Sequence, residues 1–157
     1  MISSSLSIIK KELQSLSPQQ LIEVCISLSK FKKENKELVD YLLFKANNEE
    51  DFIKEINADV SILMQDVHYT NIYLAKKSIR KILKTVNKYL NFSKNATTKV
   101  EIMLHFCREL DKHKLNRKSE PTLYNLYQNQ LKKIRKEISK MHEDLQFDYE
   151  ETILALE

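Results

Sequence analysis

Four side chains able to transfer protons or ligate metal recur at intervals of four: Glu101, His105, Glu109 and His113. On a helix they drift through about 120° at 100° per residue, so neighbouring pairs share a face and could hold a metal or relay a proton. The same spacing also describes ordinary solvent-side pairs. No Glu-x-x-His element of the di-iron bundle kind accompanies them, and His68 and His142 stand alone. Cys25 and Cys107 each fall on an apolar stripe with no histidine on the same face, the setting of a packed thiol and not of an activated nucleophile. These residues predict no catalytic centre, no metal site and no cofactor, hence a non-enzymatic protein.

A second group of residues could bind charge. The formal net charge of +4 conceals three blocks: residues 1–68 carry −3, residues 69–140 carry +13 and residues 141–157 carry −6. Within the basic block, Lys76, Lys77, Arg80, Lys81, Lys84 and Lys88 fall inside an arc of about 140° on one helix, opposite an apolar stripe. Tyr73 projects into the same arc between Arg80 and Lys84. Lys132, Lys133, Lys136 and Lys140 repeat the design on a later helix. Lysines on a rigid helix can neutralise phosphates, and an exposed tyrosine can stack on a base. Lysine outnumbers arginine 22 to 4, which equally describes a solvated or protein-facing surface, because phosphate recognition favours the bidentate guanidinium.

Among 157 residues there is no glycine, where average usage near 7% would give about 11. Phosphate-cradling loops and dinucleotide fingerprints need glycine where backbone approaches a ligand, so P-loop, Rossmann and kinase glycine-loop chemistry is excluded. No small-molecule substrate is indicated. Tight two-residue hairpins would also lack their usual residue at positive φ, which disfavours a short-turned antiparallel sheet. The longest unbroken apolar run, Tyr41-Leu42-Leu43-Phe44, is far short of the roughly 20 residues that cross a bilayer. Two cysteines are too few for a secreted disulfide scaffold, and Lys10 and Lys11 follow the first apolar residues where a signal peptide places charge before them. A cytoplasmic protein with no membrane association is expected.

The remaining pattern is helical. Ser17-Pro18-Gln19-Gln20 is a capping box with proline at the first helical position, opening a helix over about residues 18–33 with the stripe Leu21, Val24, Cys25, Leu28 and Phe31. Leu6, Ile8, Ile9 and Leu13 suggest a shorter helix before it. Leu38 to about Asn47 reads as a third, and Asn48 caps a fourth whose first turn holds Glu49, Glu50 and Asp51. A fifth runs from about Thr70 to Phe92. Thr98-Lys99-Val100-Glu101 reads as a second capping box opening a sixth, and Ser119 with Pro121 announces a seventh. Any left-handed cap is expected at asparagine. Residues 146–157 are expected to form a semi-independent acidic tail on a single domain spanning 1–157, which could dock on the basic ridge.

Residues 17–44 and 98–127 each read as capping box, amphipathic helix, charged turn and a helix rich in Tyr and Leu, with Tyr41-Leu42-Leu43-Phe44 echoed by Leu123-Tyr124-Asn125-Leu126-Tyr127. A period near 80 residues, or two hairpins of about 40, resembles a short HEAT- or armadillo-like α-solenoid. That resemblance implies an all-α fold of about seven antiparallel helices in stacked hairpins, with an orthogonal helical bundle as the alternative. It also implies a helical-repeat module whose outer faces bind a protein partner or a second copy of itself. Sequence-nonspecific nucleic-acid binding through the basic face is the other expectation. HEAT-like DNA glycosylases use aromatic residues in a groove, but this chain has no tryptophan and no residue is carried over from them.

Overall fold

A computed structural model describes residues 4–156 of the chain, and these residues are all-α. Eight α-helices follow one another: α1 (Leu6–Ser15), α2 (Pro18–Phe31), α3 (Lys33–Asp40), α4 (Glu49–Gln65), α5 (Ile72–Leu90), α6 (Ala96–Lys112), α7 (Pro121–Ile138) and α8 (Glu143–Leu154). No strand occurs among the described residues. Contacts divide the chain into two units, Met1–Lys45 and Ala46–Glu157.

The first unit is built from α1 to α3. Ser17 caps α2 as its sequence demands: the Gln20 amide donates to Ser17 Oγ at 3.3 Å, and the Ser17 amide donates to Gln20 Oε1 at 2.9 Å. This satisfies two of the donors that a helix start leaves unpaired. Asn35 Nδ2 donates to the Leu28 carbonyl at 2.8 Å, tying the start of α3 to the end of α2. Past Asp40 the helix widens into a π-helical turn, Tyr41–Lys45. The wider turn buries Tyr41 while Leu42, Leu43 and Phe44 stay exposed. Among the described residues of this unit Tyr41 alone is buried, and none of α1, α2 or α3 contains a buried residue.

The second unit has an ordinary core. Asn48 caps α4 by accepting from the Asp51 amide, with Glu49, Glu50 and Asp51 in the first turn where the helix dipole favours negative charge. Phe52, Ile56, Val60 and Met64, four apart, are buried along α4. On α5 the buried face is Ala75, Ile79, Ile82 and Val86. Helix α6 is the centre of the unit and packs on α4, α5 and α7. Its buried residues include the consecutive Ile102, Met103 and Leu104, so it is enclosed on more than one side, as a central helix must be.

Several ends differ from the sequence expectation. Helix α6 begins at Ala96 behind the cap Asn95, because Thr98 is buried and spends its hydroxyl on Glu49. Asn71 caps α5 and Glu120 precedes Pro121 on α7. Among the described residues the one in the left-handed region is Lys114, with φ 57°, and not an asparagine. There the Leu115 amide donates to the Leu110 carbonyl at 2.9 Å and the Lys114 amide donates to the Asp111 carbonyl at 2.8 Å, a Schellman closure with buried Leu115 as its apolar contact. The acidic C-terminal segment is a full helix whose Ile153 is buried, and it packs on α7. Tyr127 Oη donates to the Leu156 carbonyl at 2.6 Å and Tyr149 Oη donates to Glu101 Oε1 at 2.6 Å, fastening the middle of α8 to α6 and the residues just past its end to α7.

Candidate functional site

The four proton-transfer candidates do not converge. Glu101 is taken up by Tyr149, whose phenol burial and that carboxylate hold well above its ordinary range. His105 Nε2 lies 2.8 Å from Ser61 Oγ, joining α6 to α4, and the Asn57 backbone carbonyl also accepts from the ring. Burial lowers the His105 pKa from 6.5, against the opposing pull of the Glu109 carboxylate. Glu109 itself, largely buried, lies 3.7 Å from both Lys112 Nζ and His113 Nε2. Tyr69 stacks on the His113 ring with centroids 4.2 Å apart, and burial raises its phenol to about 12.

Ser61, His105 and Glu109 thus contain the residue types of a nucleophile, base and acid, but the ring is held by the α4 backbone and Glu109 acts on it only through charge. Their contacts fasten α4 and α6 together. Among the described residues no group of three or more His, Cys, Asp or Glu could hold a metal ion. Cys107 is buried, which pushes its thiol to about 12, while Cys25 is exposed despite lying on the α2 apolar stripe. The expectation that Cys25 is core packing is therefore corrected: α2 has no core to enter.

Two of the predicted basic residues, Lys133 and Lys136, meet Lys99 in one hollow of the second unit, whereas none of the predicted cations of α5 lines it. Lys76 Nζ sits 2.9 Å from Glu120 Oε2, linking the first turns of α5 and α7. At their other ends, a hollow of about 380 Å³ is lined by Asn87, Leu90 and Asn91 of α5, Lys99 and Met103 of α6, and Lys133, Lys136 and Glu137 of α7. The two basic helices therefore run in the same direction, and the hollow forms a furrow between their C-terminal ends beside the start of α6. Lys77, Arg80, Lys84, Lys132, Lys133 and Lys136 are exposed, and Tyr73 is 74% exposed on the α5 arc. Lys81 is also exposed and lines a separate hollow against α4 with Leu63 and Asp66. Lys88 Nζ lies 4.3 Å above the Tyr89 ring, and Lys140 pairs with Glu137 at 2.7 Å. The acidic helix α8 meets α7 on another side, around Arg135 and Ile138, and leaves the furrow uncovered.

Sequence periodicity missed Lys99, Asn87 and Asn91. Lys99 carried a signal nonetheless: it is a cation at the start of a helix, where the macrodipole disfavours positive charge, and α6 has no acidic residue in its first turn to offset it.

The first unit offers a different surface. Among its described residues eleven large apolar side chains are exposed, including Leu6 at 84%, Phe31 at 76% and Phe44 at 73%. On α2 both Ile22 and Ile26 and the stripe of Leu21 and Leu28 are open to solvent. No protein-family model, curated protein or solved structure matches this chain. Among the described residues no helix is long and apolar enough to cross a membrane.

Proposed function

We propose that this protein is a non-enzymatic helical module that binds a protein partner, or a second copy of itself, through the uncovered apolar faces of residues 4–45. The observation that carries this reading is the contrast between the two units. Residues 46–156 bury four or more residues on each of α4 to α7, whereas α1, α2 and α3 bury none of their apolar residues. The exposed side chains of the first unit leave on the order of 1,000 Å² of apolar surface in water. That summed area is on the scale of a standard interface, about 800 Å² per partner. The α2 sequence places apolar residues over roughly 220° of its circumference, wider than the stripe one neighbour covers, so α3 alone leaves Ile22 and Ile26 free.

Light scattering across a concentration series, and affinity capture followed by reconstitution with the purified partner, test the reading. The double substitution Ile22→Glu and Ile26→Glu is expected to abolish self-association or partner binding while leaving the helical content of α4 to α8 intact. A protein that stays monomeric at high concentration, and whose partners are unaffected by that double substitution, would overturn it.

A further inference from the structure

We infer that the furrow between α5 and α7 binds the phosphate backbone of single-stranded nucleic acid. Three positive side chains from two helices, Lys99, Lys133 and Lys136, meet in the hollow, and Asn87 and Asn91 add amide groups beside them. The one carboxylate there, Glu137, is already engaged by Lys140 at 2.7 Å. None of Lys77, Arg80, Lys84, Lys99, Lys133 or Lys136 is ion-paired among the described residues.

This arrangement is unfavourable without a counter-charge. On α5 Arg80 with Lys84, four apart, and Lys77 with Arg80, three apart, are like charges at a repulsive spacing, and the helix has no acidic residue to relieve it. A polyanion laid along the helix would relieve all of them together. Beyond the hollow, exposed Lys84, Arg80 and Lys77 carry positive charge back along α5, a helix of 19 residues roughly 28 Å long. Exposed Tyr73 stands on the same arc near the opposite end and can stack on a base without reading its identity. Lysine supplies point charge without the fixed fork of arginine, so the binding is independent of sequence.

Fluorescence anisotropy of the full-length protein with labelled dT20, at 50 and 200 mM salt, is the test. With about five phosphates neutralised, affinity is expected to fall about 100-fold between those salt concentrations. Lys133→Glu with Lys136→Glu should abolish binding, and Tyr73→Ala should weaken it about 10-fold. Lys10→Glu with Lys11→Glu on α1 makes the same change in net charge and should have little effect. Circular dichroism of each variant separates lost binding from lost folding, and the exposed positions of Lys133 and Lys136 make unfolding unexpected. Absence of binding at 50 mM salt would overturn the inference. So would equal binding of a dT20·dA20 duplex, equal displacement by poly-glutamate, or an equal loss in the α1 variant.

Discussion

Glu49 Oε2 accepts a hydrogen bond from Thr98 Oγ1 at 2.7 Å, joining the first turn of α4 to the first turn of α6. Ser93 Oγ lies 3.0 Å from each oxygen of the same carboxylate and accepts from the Asn95 amide. One side chain therefore fixes the α5–α6 connection, the α6 start and the α4 start. Ser93 and Thr98 are both buried, so removing their acceptor leaves two hydroxyls without a partner in a site with little water.

Glu49→Ala is accordingly expected to destabilise the protein by about 2–3 kcal/mol, since each hydrogen bond to a charged group contributes roughly 1.5–3 kcal/mol and the network is not additive. Urea unfolding midpoints measure it. A change below about 0.5 kcal/mol would show that solvent replaces the carboxylate.

Lys114→Gly should stabilise the protein. Lys114 closes α6 at φ 57°, where a Cβ crowds the following carbonyl and glycine does not. The Schellman hydrogen bonds remain available to either residue, so the expected gain is about 1 kcal/mol, reduced by the greater freedom of glycine in the unfolded chain. Thermal unfolding of the variant at unchanged pH reads the sign directly. Unchanged or lowered stability would mean that the entropy of the unfolded chain outweighs the relief of strain.

Stability should decline as the medium is acidified below about 6.5 through His105. Burial holds the ring neutral in the folded protein, with its pKa below 6.5, whereas the unfolded chain takes up the proton near 6.5. The contribution is therefore complete above that value and is lost as pH falls toward the folded pKa. Arg108 and Lys112 act with burial, and Glu109 acts against it. Unfolding midpoints between pH 8 and 5 should show the decline, and His105→Gln, which can still meet Ser61, should flatten it. An identical slope in the variant would assign the acid response to other groups.

The two cysteines should separate by reactivity. Cys25 is exposed on α2, whereas Cys107 is enclosed in the α6 core with its thiol pushed up to about 12. A thiol reagent at neutral pH is expected to label Cys25 alone in the native monomer and both after denaturation. Binding of a partner to α2 should slow the Cys25 reaction. Rapid labelling of Cys107 in the native state would show that the α6 core opens readily.

The helical elements were legible because their signals are local. Ser17, Pro18 and Gln20 form their capping box within one turn, and the stripes Phe52, Ile56, Val60 and Ala75, Ile79, Ile82 need only their own spacing. The start of α6 was misread for the opposite reason: Thr98 has the right type and spacing for a cap, but its hydroxyl is claimed by Glu49, 49 residues away in the chain. The left-handed Lys114 was invisible because no local preference favours lysine there; the closing hydrogen bonds and buried Leu115 impose it.

By itself the sequence determined that the chain is helical, that it lacks the glycine loops of nucleotide chemistry, and that its positive charge is concentrated on two helices. These follow from composition and from periodicities of three to four residues. Tertiary structure alone decided which faces are covered. The stripes of α1 and α2 have the same spacing as those of α4 and α5, yet the second set is buried and the first is not, because burial depends on a neighbouring helix and not on the pattern that could receive one. It also decided that Lys133 and Lys136 share a hollow with Lys99, since α5 and α7 both pack on α6 and that packing brings residues far apart in the chain to one place.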